Sequence, residues 1–299
     1  MRFHKLIKWF APALLVINLL VKFLIAEPTI GADLILYNLV VLLAIISLFQ
    51  VPLQNDPLAV VFLSLAIASW GIGSITSSLS QFFSFAGPAQ LVSNIAYSLF
   101  YPFAFIAIPR AIAKGKKLRS IELLDAAIFG LGLCSIIAAL LLATLLQDSG
   151  IGTFFSVLYT VCDIALVVIV LASAVISELS VRLNLLITGV LIFAVTDFFF
   201  LWNEINGSYR FGQLSDLGWL VGIVFMALSF WYLPNPNQRE AKIHPALIAV
   251  SIFISPALLS AIAIRPDYFP SYVVIHTIAT LLLAFIRMTL VIRQANNLG

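Results

Sequence analysis

Asp163, Asp197 and Asp216 interrupt or border long apolar runs of this chain. An ionisable side chain is costly in hydrocarbon, and a carboxylate within such a run usually faces protein or water and takes part in function. The three carboxylates therefore predict a site for a small polar ligand. The alternative for each of them is a hydrogen bond that holds two helices in register, or, for Asp216, a role as the N-cap of a helix.

Several other side chains in the same segments, or in a matching part of the chain, carry hydrogen-bonding groups. The candidate ligand-binding residues are Asp163, Asp197, Asp216, Trp219, Tyr209, Glu204, Asn94 and Asn38. Carboxylate and amide oxygens accept hydrogen bonds, while phenol, indole and amide N–H groups donate them. This set predicts a polar ligand without identifying it.

Catalytic and metal-binding motifs are absent from the sequence. There is no Walker loop, no zinc-protease helix motif and no nucleophile elbow. His4 and His244 lie near cytoplasmic ends, so His276 is the one histidine predicted to lie within the membrane, and a lone histidine does not predict a metal or haem site. Cys134 and Cys162 lie in apolar runs, as small core side chains do. We therefore expect no enzymatic activity, no cofactor and no metal.

The composition is that of a membrane protein. Of the 299 residues, 62% are hydrophobic and only 10% are charged, whereas soluble domains contain about 25% charged residues. The apolar runs repeatedly reach the roughly 20 residues with which a helix crosses a bilayer, while barrel strands would alternate over about 10. The net charge of +3 is small and the basic residues form no stripe, so nucleic acid is not an expected partner.

These runs predict an all-α, polytopic transmembrane bundle that forms one integral-membrane domain over residues 1–299. Its ten or so spans lie near 6–26, 32–50, 57–78, 88–109, 121–147, 152–176, 182–203, 214–233, 243–263 and 269–292. Spans nine and ten, at 243–292, lead into a C-terminal connector.

Basic residues fall mainly on one side of this topology. If the N-terminus is cytoplasmic, that side holds 13 of the 16 Lys and Arg residues, and Lys22, Arg210 and Arg265 lie on the other side. Cytoplasmic loops are enriched in Lys and Arg, so both termini are predicted to be cytoplasmic. The basic loop from Arg110 to Arg119 suits contact with anionic lipids.

This orientation gives the aspartates graded depths. Asp163 would lie about 16 Å below the outer end of its span and Asp197 about 9 Å below, at 1.5 Å of rise per residue. Asp216 would lie almost at the outer surface. We therefore expect a cavity that opens on the outer face of the membrane.

Two parts of the chain resemble each other. The copies cover about 32–110, which holds spans two to four, and 152–234, which holds spans six to eight. Leu36-Tyr37-Asn38 corresponds to Leu158-Tyr159-Thr160, and Ser93-Asn94-Ile95-Ala96-Tyr97 corresponds to Ser215-Asp216-Leu217-Gly218-Trp219. Because a displacement by four helices preserves orientation, a parallel internal repeat is predicted.

The order of these motifs also resembles a family of bacterial signalling proteins. Span five begins with an aspartate, Asp125, span six has Leu158-Tyr159 before Asp163, and span seven has a late aspartate. A Tyr-x-x-Gly and an Asp-x-Gly-Trp segment then follow, formed by Tyr209, Gly212, Asp216, Gly218 and Trp219. This order is similar to that of the multi-span N-terminal modules that precede GGDEF and EAL domains in cyclic di-GMP proteins, over about residues 30–299. The chain itself contains neither a GGDEF nor an EAL motif.

The resemblance implies a sensory, signal-input module of the bacterial inner membrane. Such a module would relay an extracytoplasmic, lipid or membrane signal to a cytoplasmic output domain of the diguanylate cyclase or phosphodiesterase type. The expected partners are membrane lipids, an unidentified small ligand, the output domain and a second copy bound through span ten. The alternative function is a ten-span secondary transporter of small metabolites, although exporters of that architecture consist of inverted halves.

Overall fold

The structure is a computed structural model that describes residues 6–52, 56–83, 88–113, 128, 151–176, 180–233, 256–257, 259–260, 263–264 and 271–296. Regular structure within these ranges is helical, which confirms the predicted all-helical class. Five helices are long and apolar enough to cross a membrane, at Ile7–Leu24, Ile30–Phe49, Pro57–Phe83, Ala89–Ile112 and Val181–Glu204. They are the helices of a membrane-embedded protein.

The long helices of the described ranges are, in chain order, α1 (Phe10–Leu24), α2 (Tyr37–Phe49), α3 (Pro57–Phe83), α4 (Pro88–Ala113), α5 (Ile151–Ile176), α6 (Val181–Ile205), α7 (Leu217–Ser229) and α8 (Ser271–Asn296). A π-helical segment, Ile30–Leu36, leads into α2. Predicted span five, at 121–147, lies outside the described residues except for residue 128, and so does most of span nine, at 243–263. The count of ten spans therefore stays a prediction.

The chain divides into two compact units. Unit one comprises residues 1–116 and 179–236 and contains α1 to α4, α6 and α7. Unit two comprises residues 117–178 and 237–299 and contains α5 and α8. The first predicted copy, 32–110, lies in unit one, while the second, 152–234, is divided between the units. The internal repeat stays a prediction.

Unit one has two chemically different ends. We call one of them the loop end. Here α1 ends near Lys22, α3 ends near Ser78, and α6 ends at the loop 206–213. At the same end the chain enters α2 through Asp33 and α7 through Asp216. At the other, the basic end, three cationic side chains lie with their partners. They are Lys8, which packs on Tyr232, Arg110, which pairs with Asp56, and Arg182, which packs on Phe230. Helix α2 packs against α1, α3 and α7.

Helix α1 shows how unit one buries polar groups. Its buried residues, Ala11, Leu15, Asn18 and Lys22, follow each other at intervals of four, three and four, which places them on one face. The opposite surface is apolar and exposed, with Leu20 57% and Phe23 67% accessible. A helix with polar groups inside and apolar side chains outside suits a lipid environment.

Helices α6 and α7 approach closely through glycine. Gly218 and Gly222 lie one turn apart on α7, and Gly189 faces Gly222 from α6. A Cβ atom on Gly222 would lie 2.8 Å from the carbonyl oxygen of Gly189 and 2.8 Å from the Cβ of Phe193. Small residues spaced in this way let two membrane helices pack backbone against backbone.

Replacing Gly222 with alanine should therefore destabilise unit one by about 1–3 kcal/mol, the usual cost of overpacking. The matched control is Gly31→Ala, because a Cβ at Gly31 meets no atom within 4 Å. Unfolding of both purified variants by sodium dodecyl sulfate, followed by far-UV circular dichroism, measures the difference. Equal unfolding midpoints for the two variants would contradict the close packing of α6 on α7.

Candidate functional site

Asp197 joins three helices of unit one. From α6 its carboxylate accepts a hydrogen bond of 2.6 Å from Trp219 Nε1 on α7 and one of 3.0 Å from Tyr101 Oη on α4. Each carboxylate oxygen thus has a donor from a different helix. Hydrogen bonds to a charged acceptor are roughly twice as strong as neutral ones. Asp197 therefore fixes the mutual position of α4, α6 and α7.

An aromatic cluster surrounds Trp70 beside this junction. The indole of Trp70, on α3, has ring-centroid distances of 6.1 Å to Tyr37, 5.7 Å to Tyr97, 6.2 Å to Phe193 and 6.2 Å to Trp219. Aromatic pairs at such distances contribute about 0.5–1.5 kcal/mol each beyond their buried area. Tyr97 and Trp219, which correspond in the two predicted copies, thus pack on one side chain.

Asp216 holds the loop 206–213 against the helix bundle. Its Oδ2 accepts hydrogen bonds from Tyr209 Oη, at 3.2 Å, and from the backbone N–H of Gly212, at 3.0 Å, while Tyr37 Oη donates to its carbonyl oxygen at 2.9 Å. Asp216 occupies the N-cap position of α7, as the alternative interpretation predicted, but its side chain makes no capping hydrogen bond there. Gly212 adopts a φ of 74°, which glycine tolerates and which lets its N–H face Asp216.

Tyr209 acts as a hydrogen-bond donor in this arrangement. Burial, followed by the charge of Asp216, raises the pKa of the Tyr209 phenol above its ordinary value. The phenol therefore remains protonated and donates to Asp216. Its ring also meets the ring of Phe200 edge to face, with centroids 4.7 Å apart.

A buried ion pair at the loop end went unrecognised in the sequence. Lys22 Nζ lies 3.0 Å from Oδ1 and 3.2 Å from Oδ2 of Asp33, and the two side chains are only 2% and 7% exposed. The backbone N–H of Thr29 donates to Asp33 Oδ2 at 2.7 Å, and Ser78 Oγ donates to the Asp33 carbonyl at 3.3 Å. Asp33 thus connects the end of α1 with the end of α3.

For three of the predicted ligand-binding residues, the structure shows contacts with residues close to them in the sequence. Asn38 donates from Nδ2 to the carbonyl of Leu34 in its own helical segment, at 2.7 Å. Asn94 accepts from Gln90 Nε2, one turn earlier in α4, at 3.4 Å. Glu204 is exposed near the end of α6 and interacts electrostatically with Tyr209.

Asp163 belongs to unit two, where it is 2% exposed on α5. The structure therefore gathers Asp197, Asp216, Trp219 and Tyr209 of the predicted set within unit one. The contribution of Asp163 to a cavity shared with these four residues stays a prediction.

The basic end of unit one is held by other polar contacts. Arg110 NH2 lies 2.9 Å from Asp56 Oδ2, and Trp231 Nε1 donates to Ser47 Oγ at 2.8 Å. Arg182 lies over the ring of Phe230, 4.7 Å from its centroid, and donates to the Tyr232 carbonyl at 3.4 Å. The basic end contains no member of the predicted ligand-binding set.

Within the described ranges, no three His, Cys, Asp or Glu side chains are grouped so that they could hold a metal ion. No protein-family model, curated protein or solved structure matches this chain, so its likeness to the GGDEF- and EAL-associated modules stays a prediction.

Proposed function

We propose that this chain is a membrane-embedded signal-input module whose receiving site is the loop end of unit one. One observation carries the proposal: residues 216–219 connect two sets of hydrogen bonds, one that ties the loop 206–213 to Asp216 and one that joins α4, α6 and α7 at Asp197. Tyr209 donates to Asp216, Trp219 lies one turn further along the chain and donates to Asp197, and Tyr101 donates to the same carboxylate. A ligand that displaced the loop would alter contacts of α4, α6 and α7 together.

The signal is an extracytoplasmic molecule, a lipid or a change in the membrane, and the output is a cytoplasmic domain of the diguanylate cyclase or phosphodiesterase type, attached or separate. The protein resides in the bacterial inner membrane with both termini cytoplasmic, and pairs with a second copy through α8. The grouping of Lys8, Arg110 and Arg182 at one end of unit one supports this orientation, since basic residues favour the cytoplasmic side. Shifting such a two-state equilibrium takes a few kcal/mol of differential binding.

Fusion of the full chain to a diguanylate cyclase domain tests this function. Asp197→Asn keeps the size of the side chain but removes its charge, so it should change the cellular cyclic di-GMP level severalfold while the protein still inserts into the membrane. Val195→Ala is the matched control, because Val195 lies on the same helix and is 64% exposed. An output that is the same in wild type, Asp197→Asn and Val195→Ala would overturn the proposal.

A second candidate function is secondary transport, and the Lys22–Asp33 pair favours it. Ionisable groups buried within a membrane bundle are typical of ion-coupled transport pathways. Proteoliposomes loaded with a mixture of radiolabelled amino acids and sugars test this function. Efflux that is present in wild type and Val195→Ala but lost in Asp33→Asn would favour transport over signalling.

A further inference from the structure

The loop end of unit one buries more negative than positive charge. The buried ionisable side chains are the ammonium of Lys22 and the carboxylates of Asp33 and Asp216, with 5%, 6% and 7% of each residue exposed. Both carboxylates abut Gly212, whose N–H donates to Asp216 and whose Cβ position would lie 2.9 Å from Asp33 Oδ1. We call Lys22, Asp33 and Asp216 the triad. Two carboxylates and one ammonium leave one negative charge without compensation.

The groups that face the triad do not supply the missing charge. Tyr37 on α2, Tyr97 on α4 and Tyr209 in the loop contribute neutral phenols, and Glu204 at the end of α6 is a further acid close to Tyr209. Arg210, in the same loop, is exposed and forms no ion pair among the described residues. A buried charge without a counter-charge is unfavourable in a low-dielectric surrounding, even where it accepts hydrogen bonds as Asp216 does. The triad therefore requires one more positive charge.

Two amide side chains beside the triad have hydrogen-bonding groups that no described residue satisfies. Asn18 is fully buried, and neither its Nδ2 nor its Oδ1 has a partner. It lies one turn before Lys22 on the buried face of α1, the direction in which helical side chains lean. Gln213 Nε2, next to Gly212 in the chain, is also buried and without a partner. Buried amides of this kind are usually satisfied by internal water.

From these observations we propose that the triad of Lys22, Asp33 and Asp216 binds one exchangeable proton, which water at Asn18 and Gln213 delivers. The proton adds to a carboxylate oxygen of the triad and leaves by the same route, so no other bond is formed or broken. A metal ion fits less well, because it would need several oxygen ligands while the Lys22 ammonium already occupies both oxygens of Asp33. The site does not depend on the signalling function, since a transporter would hold the same proton.

Infrared spectroscopy of the full chain in lipid nanodiscs tests the proposal. On acidification, the wild type should gain the carbonyl stretching band of a poorly solvated carboxylic acid while its helical circular dichroism stays unchanged. Asp216→Asn and, independently, Asp33→Asn should lose this band, because each leaves a balanced pair with Lys22. Glu27→Gln, which removes an exposed carboxylate near the same end, should retain it.

The wild type alone is sufficient to overturn the proposal. Absence of the band over the whole pH range in which the helices remain folded would show that the triad binds no proton. A band whose midpoint moves when sodium chloride replaces choline chloride would show that a metal cation competes for the triad, and it would overturn the assignment of the site to a proton alone. Persistence of the band in both Asp216→Asn and Asp33→Asn would place the proton elsewhere.

Discussion

Replacing Lys22 with methionine should destabilise the protein by about 3–5 kcal/mol, the cost of removing one partner from a buried ion pair. Methionine matches the length of the lysine stem, so packing along α1 is preserved and the loss is electrostatic. The carboxylate of Asp33 would keep the hydrogen bond from the Thr29 N–H but would lose the one cation that the described part of the chain places within 4 Å of it. Unfolding by sodium dodecyl sulfate, followed by circular dichroism, measures the change.

Two variants separate this effect from the loss of a positive charge in general. Arg210→Met removes an exposed cation at the same end of unit one and should change stability by less than about 0.5 kcal/mol. The double variant Lys22→Met/Asp33→Asn should be more stable than Lys22→Met alone, since Asp33 is then no longer a buried charge that has lost its cation. A deficit in Lys22→Met no larger than that in Arg210→Met would show that the ion pair contributes nothing to stability.

The positions of the helices could be predicted from the sequence because span length is a local property. A run of about 20 apolar residues has few alternatives in a bilayer. Predicted spans at 88–109 and 182–203 correspond to helices Pro88–Ala113 and Val181–Ile205. The additional residues, 110–113, 181 and 204–205, lie at helix ends, where composition alone does not define the boundary.

The partners of the site residues depend on contacts between distant parts of the chain. Asp197 and Asp216 could be predicted to share one end of the bundle, because they lie near the same end of consecutive spans. The donor Tyr101 could not be predicted, because its hydrogen bond to Asp197 requires α4 to lie beside α6. The end of α4 at Ala113 and the start of α6 at Val181 are 68 residues apart in the chain. The hydrogen bond from Asn38 to the carbonyl of Leu34 likewise depends on a side-chain rotamer, which the periodicity of the sequence does not determine.

The Lys22–Asp33 pair went unpredicted for a different reason. In the predicted topology Lys22 counts toward the outer side, and Asp33 lies at the start of the predicted span 32–50 with no role assigned to it. Their separation of 11 residues spans a helix end, an extended turn and a π-helical segment, so no helical spacing links them. The sequence does contain a signal for the pair. Each residue is charged and lies at the margin of an apolar run, and the two charges, of opposite sign, fall on neighbouring predicted spans.

Replacing Asp197 with leucine should also have a large effect, because it removes the carboxylate to which two side chains donate. Trp219 Nε1 and Tyr101 Oη both donate to this carboxylate, and each buried donor left unsatisfied costs about 1–3 kcal/mol. Asp197→Asn should be milder, since the amide oxygen still accepts one bond and its nitrogen donates to the phenol oxygen. The same unfolding titration ranks wild type, Asp197→Asn and Asp197→Leu in that order of decreasing stability.

The triple variant Asp197→Leu/Trp219→Phe/Tyr101→Phe distinguishes an unsatisfied polar site from a cavity or a packing fault. With both donors removed, the junction becomes apolar, and the variant should recover part of the stability that Asp197→Leu loses. Groups that share one acceptor are energetically coupled, so the losses from the single variants Trp219→Phe and Tyr101→Phe should not add in the absence of Asp197. If the triple variant were less stable than Asp197→Leu by the sum of those two losses, the three side chains would act independently, and Asp197 would not be the junction of α4, α6 and α7.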